Sequence, residues 1–486
     1  LSEEAPQAVL PHVAEVEPND GAAQAMPLGK NSEVLGALGA PGDQDWFRFQ
    51  AQAGEEWVFD VKAERLKSPL DSHIQILHED GAPVERVLLR AVRDSWFTFR
   101  GKDSDTSNDF RVHNWEEMDL NDYLYANGEV VRLWLYPRGP DSGFNVYPGA
   151  GKRHTFFGTT ALSHPLGEPC YIVQPLPPGA EPPQNGLPLF RLFYESDDDP
   201  QRRWGKDSFL IFTAPKAGSY LARLVDVTRR GGDDFKYQLT ARSRQEDFKL
   251  TVSGMNPVIS PGSGKEFGVK VERMDDFEGE VRLDIDGLPP GFTATSPVIV
   301  EAGQISAEGV LFAEADAVEP TAEQLKSVKL TASAMIRGRK VTHEIGGLGT
   351  IKLGKPAQVL VEILPDGQTG DPVLAPGRPL ELTIHPGETI SAIVKVTRQK
   401  PFKAEVPFGK EDAGRNLPFG VFVDNIGLSG LLVPAAESER KFFITAGPKW
   451  LPDTTRLFHL RTTADGVQTT RPVLLKVRKA SEVAGR

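Results

Sequence analysis

The sequence predicts an all-β, multidomain protein built from antiparallel β-sandwiches. Three observations predict it. Apolar and polar residues alternate through "DWFRFQAQAGEEWVFDVKAE", "HIQILHEDG", "FLIFTAP", "SYLARLVDV" and "FKYQLTAR", between Gly, Pro and Asp turns, as half-buried strands do. Glycine (47) and proline (39) together make 86 of 486 residues, which suits many turns between short strands. The C-terminal half also contains an internal repeat that begins like a sandwich module. Helical periodicity is scarce. Its two best candidates are "PTAEQLKS" at 320–327 and "WEEMDLNDYLYANG" at 115–128.

The bulk numbers bound the function. A chain of 486 residues, 39% hydrophobic and 25% charged, is globular and long enough for two to four domains. No apolar run approaches the length of a membrane span. A net charge of −12 argues against nucleic acid, whose phosphates would be repelled. Cys170 is the single cysteine, so no intramolecular disulfide forms. The sequence starts at Leu1, not Met, so a processed or trimmed start is expected and an export signal is not visible.

The first element is "VAEVEPNDGAAQA", residues 13–25. Glu15, Glu17, Asn19 and Asp20 crowd side-chain oxygens around Pro18, and proline disfavours a helix at the residue before it. This extended acidic peptide precedes "GDQDWFRF", in which Asp43 and Asp45 can share a side while Trp46 and Phe47 begin a core strand.

The marks "EVEPND", "GDQDWFRF", "AGE", "SPLDSHIQILHEDG", "FTAPKAGSY" and "LVDV" come in an order that resembles the bacterial pre-peptidase C-terminal domain family. The resemblance covers about residues 11–81 and 206–242. It implies a jelly-roll-like β-sandwich, an accessory module of an exported protein, and therefore an extracytoplasmic location. It also implies a catalytic domain in the parent protein or a partner. In collagen-binding members of that family the matching segments form a calcium site. The resemblance implies the same for Glu15, Glu17, Asn19, Asp20, Asp43 and Asp45. Calcium takes six to eight hard oxygen ligands, and these residues offer five carboxylates and one amide. The alternative is that the acids cap turns and face solvent, since Pro-Asn-Asp-Gly is itself a good turn.

An insertion of about 122 residues, 84–205, interrupts the family pattern. "DSDTSND" alternates oxygens like a calcium loop, which makes Asp103, Asp105 and Asp109 candidates for a second metal. Asn108 and Asn114 stand where such a loop has glycine and glutamate, so the competing reading is an exposed turn. The insertion is rich in aromatics, of which Trp115, Trp134 and Tyr136 are candidates for a polysaccharide or protein ligand. The competing reading is that they form the insertion's own core.

In the C-terminal half, "SPGSGKEFGVKVER" (260–273) aligns without gaps on "HPGETISAIVKVTR" (385–398), an offset of 398 − 273 = 125. An aromatic follows each arginine by four residues, Phe277 and Phe402, and each copy reaches "LPPG" or "LPFG". Two immunoglobulin-like sandwiches are expected. The expected boundaries are 11–246, 247–355 and 356–482.

Catalytic motifs are lacking. There is no G-x-S-x-G elbow, no phosphate loop and no H-E-x-x-H pair. His154, His164 and Cys170 could in principle make a metal or Cys-His site, against satisfied histidines and a buried thiol. The reading is a calcium-stabilised, non-catalytic accessory region for binding or spacing. The alternatives are a glycan-active hydrolase with its site in the insertion, and a purely structural spacer.

Overall fold

A computed structural model describes residues 10–98, 101–135, 144–149, 152–367, 379–409, 413–418, 420–424, 430–447 and 453–479. Among these, helix is confined to Ala322–Lys326 and to 3-10 turns at Glu64–Leu66 and Trp115–Glu117; the other regular elements are strands. The fold class is all-β, as the alternation predicts. The chain divides into two compact units, 1–245 and 246–486.

The frame of the first unit is a pair of five-stranded sheets. One runs in the order His12–Ala14, Ser32–Ala37, Lys236–Ser243, Glu56–Lys62, Phe209–Thr213. The other runs Glu195–Ser196, Ser72–His78, Gly218–Asp226, Gln44–Ala51, Met26–Pro27. Their core gathers Phe47, Phe49, Phe59, Ile74, Phe212, Tyr220 and Leu239. Strand Gln44–Ala51 shows how the sequence builds it. Asp45, Phe47, Phe49 and Ala51 are buried, while Gln44, Trp46 and Arg48 are half-buried on the other side, the two-residue period of a pleated strand. A carboxylate thus opens the core-facing row. The N-terminal peptide joins the frame as a parallel edge strand, with Val13 opposite Val34.

Seven strands of the insertion form a sheet of their own, in the order Leu189–Phe193, Glu85–Trp96, Pro169–Pro175, Tyr123–Ala126, Glu129–Leu135, Phe144–Val146, Asp109–Phe110. It has two apolar faces. Val131, Leu133, Phe97 and Cys170 pack in one cluster, and Val130, Tyr147, Phe156 and Val173 in the other.

Of the two helix candidates, 115–128 is not a helix. That segment is one 3-10 turn followed by strand Tyr123–Ala126, which pairs directly with Glu129–Leu135. Asn127 (φ 46°) and Gly128 (φ 100°) form its two-residue turn, the positive-φ pair an Asn-Gly hairpin requires. The Tyr-Leu-Tyr-Ala alternation has period two, and the turn chemistry overrides a weak helical pattern. The other candidate does form a helix, Ala322–Lys326, with Thr321 and Gln324 capping each other's backbone N–H groups.

The second unit holds two further cores, one around Val269, Val281, Leu283 and Ala332, the other around Val394, Val406, Ile444 and Leu475. The repeat is visible in the topology. Ser263–Met274 lies second in the sheet Asp247–Ser253, Ser263–Met274, Ser306–Ala313, Phe292–Ala294. Thr389–Arg398 lies second in the sheet Val359–Pro365, Thr389–Arg398, Glu439–Ala446, Val421–Asp424.

Candidate functional site

Four of the six residues expected to bind calcium meet in one cluster. Ligand oxygens of Glu15, Glu17 and Asp45 lie within 4.8 Å of one another. Asn19 is fully buried among them. Its amide donates to Glu15 Oε1 (2.8 Å) and its backbone N–H to Glu17 Oε2 (2.8 Å). The edge strand sets the position of Glu15, whose backbone N–H donates to the Leu35 carbonyl (3.0 Å). Asn19 is carried to strand Gln44–Ala51 by its carbonyl, which accepts from Trp46 N–H (3.1 Å). Asp20 and Asp43 are neighbours, and the Asp43 carboxylate raises Asp20. Asp43 is further held by the backbone N–H groups of Gly39 (2.6 Å) and Gln44 (2.8 Å).

Tyr237 completes the cluster, and its role was not evident in the sequence. Its hydroxyl reaches Glu15 Oε1 (2.7 Å) and Asp45 Oδ2 (2.5 Å), yet it has one proton for two carboxylates. The Asp45 carboxyl is pushed up to about 10, first by burial and then by the Glu15 carboxylate beside it. Glu17 is raised too, first by burial, with Glu15, Asp43 and Asp20 adding to the rise. Gly36 makes room: a Cβ there would come within 2.4 Å of Glu15 Oε2 and 2.5 Å of the Tyr237 oxygen. The strand pattern of "FKYQLTAR" could have found Tyr237, because an inward tyrosine must have a partner for its hydroxyl.

The donor set can be tested for a cation directly. Asn19 Oδ1 and Asp45 Oδ1 are buried and have no hydrogen-bond partner among the described residues. Buried acceptors are ordinarily satisfied, so two orphan buried oxygens in a cluster with two glutamates suit a hard cation.

Among the described residues the second expected metal set does not gather. Asp105 pairs with Lys152 (2.6 Å) and Arg202 (3.1 Å), Asp109 with Lys102 (2.7 Å), and Asp103 is exposed. The lysine-bonded Asp105 carboxyl is held low. Trp115 and Trp134 pack on opposite faces of the insertion sheet, so they share no groove. Trp115 meets Phe144 edge-on at 6.2 Å, and Tyr136 lies outside the described residues. His164 is held between Glu129 Oε2 (2.8 Å) and Glu168 Oε2 (2.6 Å), and Glu129 also grips the buried Arg153. Burial pushes the Cys170 thiol up to about 12, which leaves it unreactive.

The fold defines a multidomain β-sandwich protein. No protein-family model matches the chain, and no curated protein matches it. Among solved structures, domains 5–6 of the S-layer protein SbsC are 12% identical, cover 49% of this chain and 100% of that one, and give a TM-score of 0.17. Fibronectin(III)-like modules of Clostridium thermocellum CbhA are 10% identical, covering 49% and 97%, with a TM-score of 0.13. A protein of unknown function from Porphyromonas gingivalis W83 is 10% identical, covering 47% and 99%, with a TM-score of 0.17. At these scores the likenesses carry no functional argument, and the fold class rests on the strands themselves. Among the described residues no helix is long and apolar enough to cross a membrane.

Proposed function

We propose that this chain is a non-catalytic, extracytoplasmic accessory region whose N-terminal sandwich is of the pre-peptidase C-terminal type and is stapled by calcium. It serves binding of a polysaccharide or extracellular protein, or spacing, beside a catalytic domain in the parent protein or a partner. The observation that carries the reading is the pair of orphaned buried oxygens, Asn19 Oδ1 and Asp45 Oδ1, set beside Glu15 and Glu17. Those four residues would hold the ion, with Asp20 and Asp43 alongside. A bound calcium would supply positive charge beside the buried Asp45 carboxyl, which burial otherwise pushes toward its protonated form. These residues join the edge peptide to the body of the sandwich, so the ion would tie one to the other. Spacing is supported by the second unit, where side chains of the two sandwiches bond to each other.

The test is calorimetric unfolding with calcium and with chelator, on the wild type, Glu17→Ala and Asp45→Ala. A ligand that binds only the folded state stabilises by about 2.7 kcal/mol at a hundred times its Kd. Calcium is expected to raise the transition of the first unit in the wild type alone. A chelator without effect on a metal-loaded preparation, or an equal response in both variants, would overturn the reading.

A further inference from the structure

The first unit also carries a cleft of about 500 Å³ that shares only Asp43 with the calcium reading. Its floor is the outer face of the sheet containing Ser72–His78, Gly218–Asp226 and Gln44–Ala51. Register sets His73, Val225 and Gln44 side by side in one row, and Arg223 in the next. Its walls are Asp197, just beyond strand Glu195–Ser196, and the turns at 42–43 and 226–229.

The acids of those turns are already spent on the backbone. Asp226 accepts from the N–H groups of Thr228 (2.9 Å), Arg230 (3.0 Å) and Asp71 (3.0 Å), and Asp43 from those of Gly39 and Gln44. Two groups in the cleft are not spent. Asp197 Oδ1 and Arg223 Nε are both buried without a hydrogen-bond partner among the described residues. The remaining grip on Arg223 keeps it in place: Nη2 donates to Gln75 Oε1 (2.6 Å), Gln75 donates to Glu195 Oε2 (2.8 Å), and the guanidinium lies over the Trp46 ring at 5.6 Å. Such a cross-strand ladder positions one N–H without consuming it.

A ligand that completes this cleft must bring both a donor, for the carboxylate, and an acceptor, for the guanidinium. Three carboxylates (Asp43, Asp197 and Asp226) and two guanidiniums (Arg223 and Arg229) line the cleft, and this near balance favours neither a strong anion nor a strong cation. Hydroxyl groups both donate and accept, and the Val225 side chain and His73 ring offer an apolar floor for C–H groups. We propose that this cleft is a binding site for an uncharged saccharide, with Asp197 and Arg223 as its principal hydrogen-bonding residues and Gln44 and His73 beside them. A cleft of this size lies within the range of small-ligand pockets.

The experiment is titration calorimetry of the full chain with a panel of neutral hexasaccharides of glucose, xylose and N-acetylglucosamine, followed by Asp197→Asn and Arg223→Lys. At least one hexasaccharide is expected to bind the wild type, and each variant to weaken it by about tenfold or more. Asp197 Oδ1 has no internal partner, so Asp197→Asn should keep the wild-type melting temperature. Its loss of affinity is then a loss of contact and not of fold. Absence of binding by the whole panel would overturn the proposal. So would unchanged affinity in both folded variants, which moves the sugar elsewhere, or binding of glycylglycine with no saccharide bound. Glu17→Ala, which lies outside the cleft, separates this result from failure of the calcium reading.

Discussion

At the scale of single residues, the N-terminal cluster turns on Tyr237 and Gly36 as much as on its acids. Tyr237→Phe removes the donor shared by Glu15 and Asp45. Leaving a buried acceptor unsatisfied costs about 1–3 kcal/mol, so the first unit should melt earlier by that amount in chelator. Gly36→Ala should do at least as much, because the added methyl meets Glu15 and Tyr237 inside van der Waals contact. Thermal unfolding of both variants in chelator checks this, and a wild-type transition in either would show the cluster to be slack. The acids themselves were legible in the sequence because carboxylates crowded around a proline are a local feature. Tyr237 was not, because it lies 222 residues from Glu15.

At the scale of elements, the internal repeat has a structural cause. Arg273 ends the aligned segment and donates to the carbonyls of Gln304 (2.9 Å), Glu301 (2.9 Å) and Gly279. Arg398, its counterpart 125 residues on, donates to Ala404 (2.9 Å), Glu437 (2.6 Å) and Pro434 (2.9 Å). Gly279 and Ala404 are themselves 125 apart (404 − 279), so each arginine binds the matching loop of its own sandwich. Arg273, 4% exposed, should matter more than the half-buried Arg398. Arg273→Ala is expected to cost about 3 kcal/mol, the order reached when a buried charged network is broken, and Arg398→Ala less. Chemical denaturation of the two variants gives the comparison, and equal costs would refute the burial argument. Strands were readable because alternation is written into neighbouring residues. The helix candidate at 115–128 shows the limit: Asn127-Gly128 settles it as a hairpin, and two residues outweigh a weak periodicity over fourteen.

At the scale of the whole molecule, the 246–486 unit is more than two modules in line. Glu266 of its first sandwich accepts from His459 Nε2 (2.7 Å), Arg415 Nε (3.0 Å) and Arg461 Nη1 (2.9 Å) of its second. Ser263 donates to Gln468 (2.5 Å) across the same junction. Gly264 permits the approach, since a Cβ there would meet Thr469 Oγ1 at 2.3 Å. Burial alone would raise Glu266, but His459 and Arg415 hold it down to about 2, while burial lowers His459. Both shifts act in one direction. Below pH 6.5 the unfolded chain takes up a proton that the buried His459 ring refuses, and below 4.5 it takes up one that Glu266 refuses. Stability of this unit should therefore fall on acidification, with roughly 2 kcal/mol from Glu266 between pH 4.5 and 2 after solvent screening is allowed for. Glu266→Gln should flatten that slope. An unchanged pH profile would mean that the junction does not contribute to folding.

The sequence by itself determined the all-β class, the strands around their turns, the repeat and the acidic peptide, since each depends on residues near one another in the chain. The tertiary structure alone decided which acids converge, that Tyr237 bridges two of them, that Trp115 and Trp134 face apart, and that Asp197 and Arg223 share one cleft. Those facts depend on which strands become neighbours. Sheet pairing brings together residues hundreds of positions apart, and nothing in the local pattern of either strand records its partner.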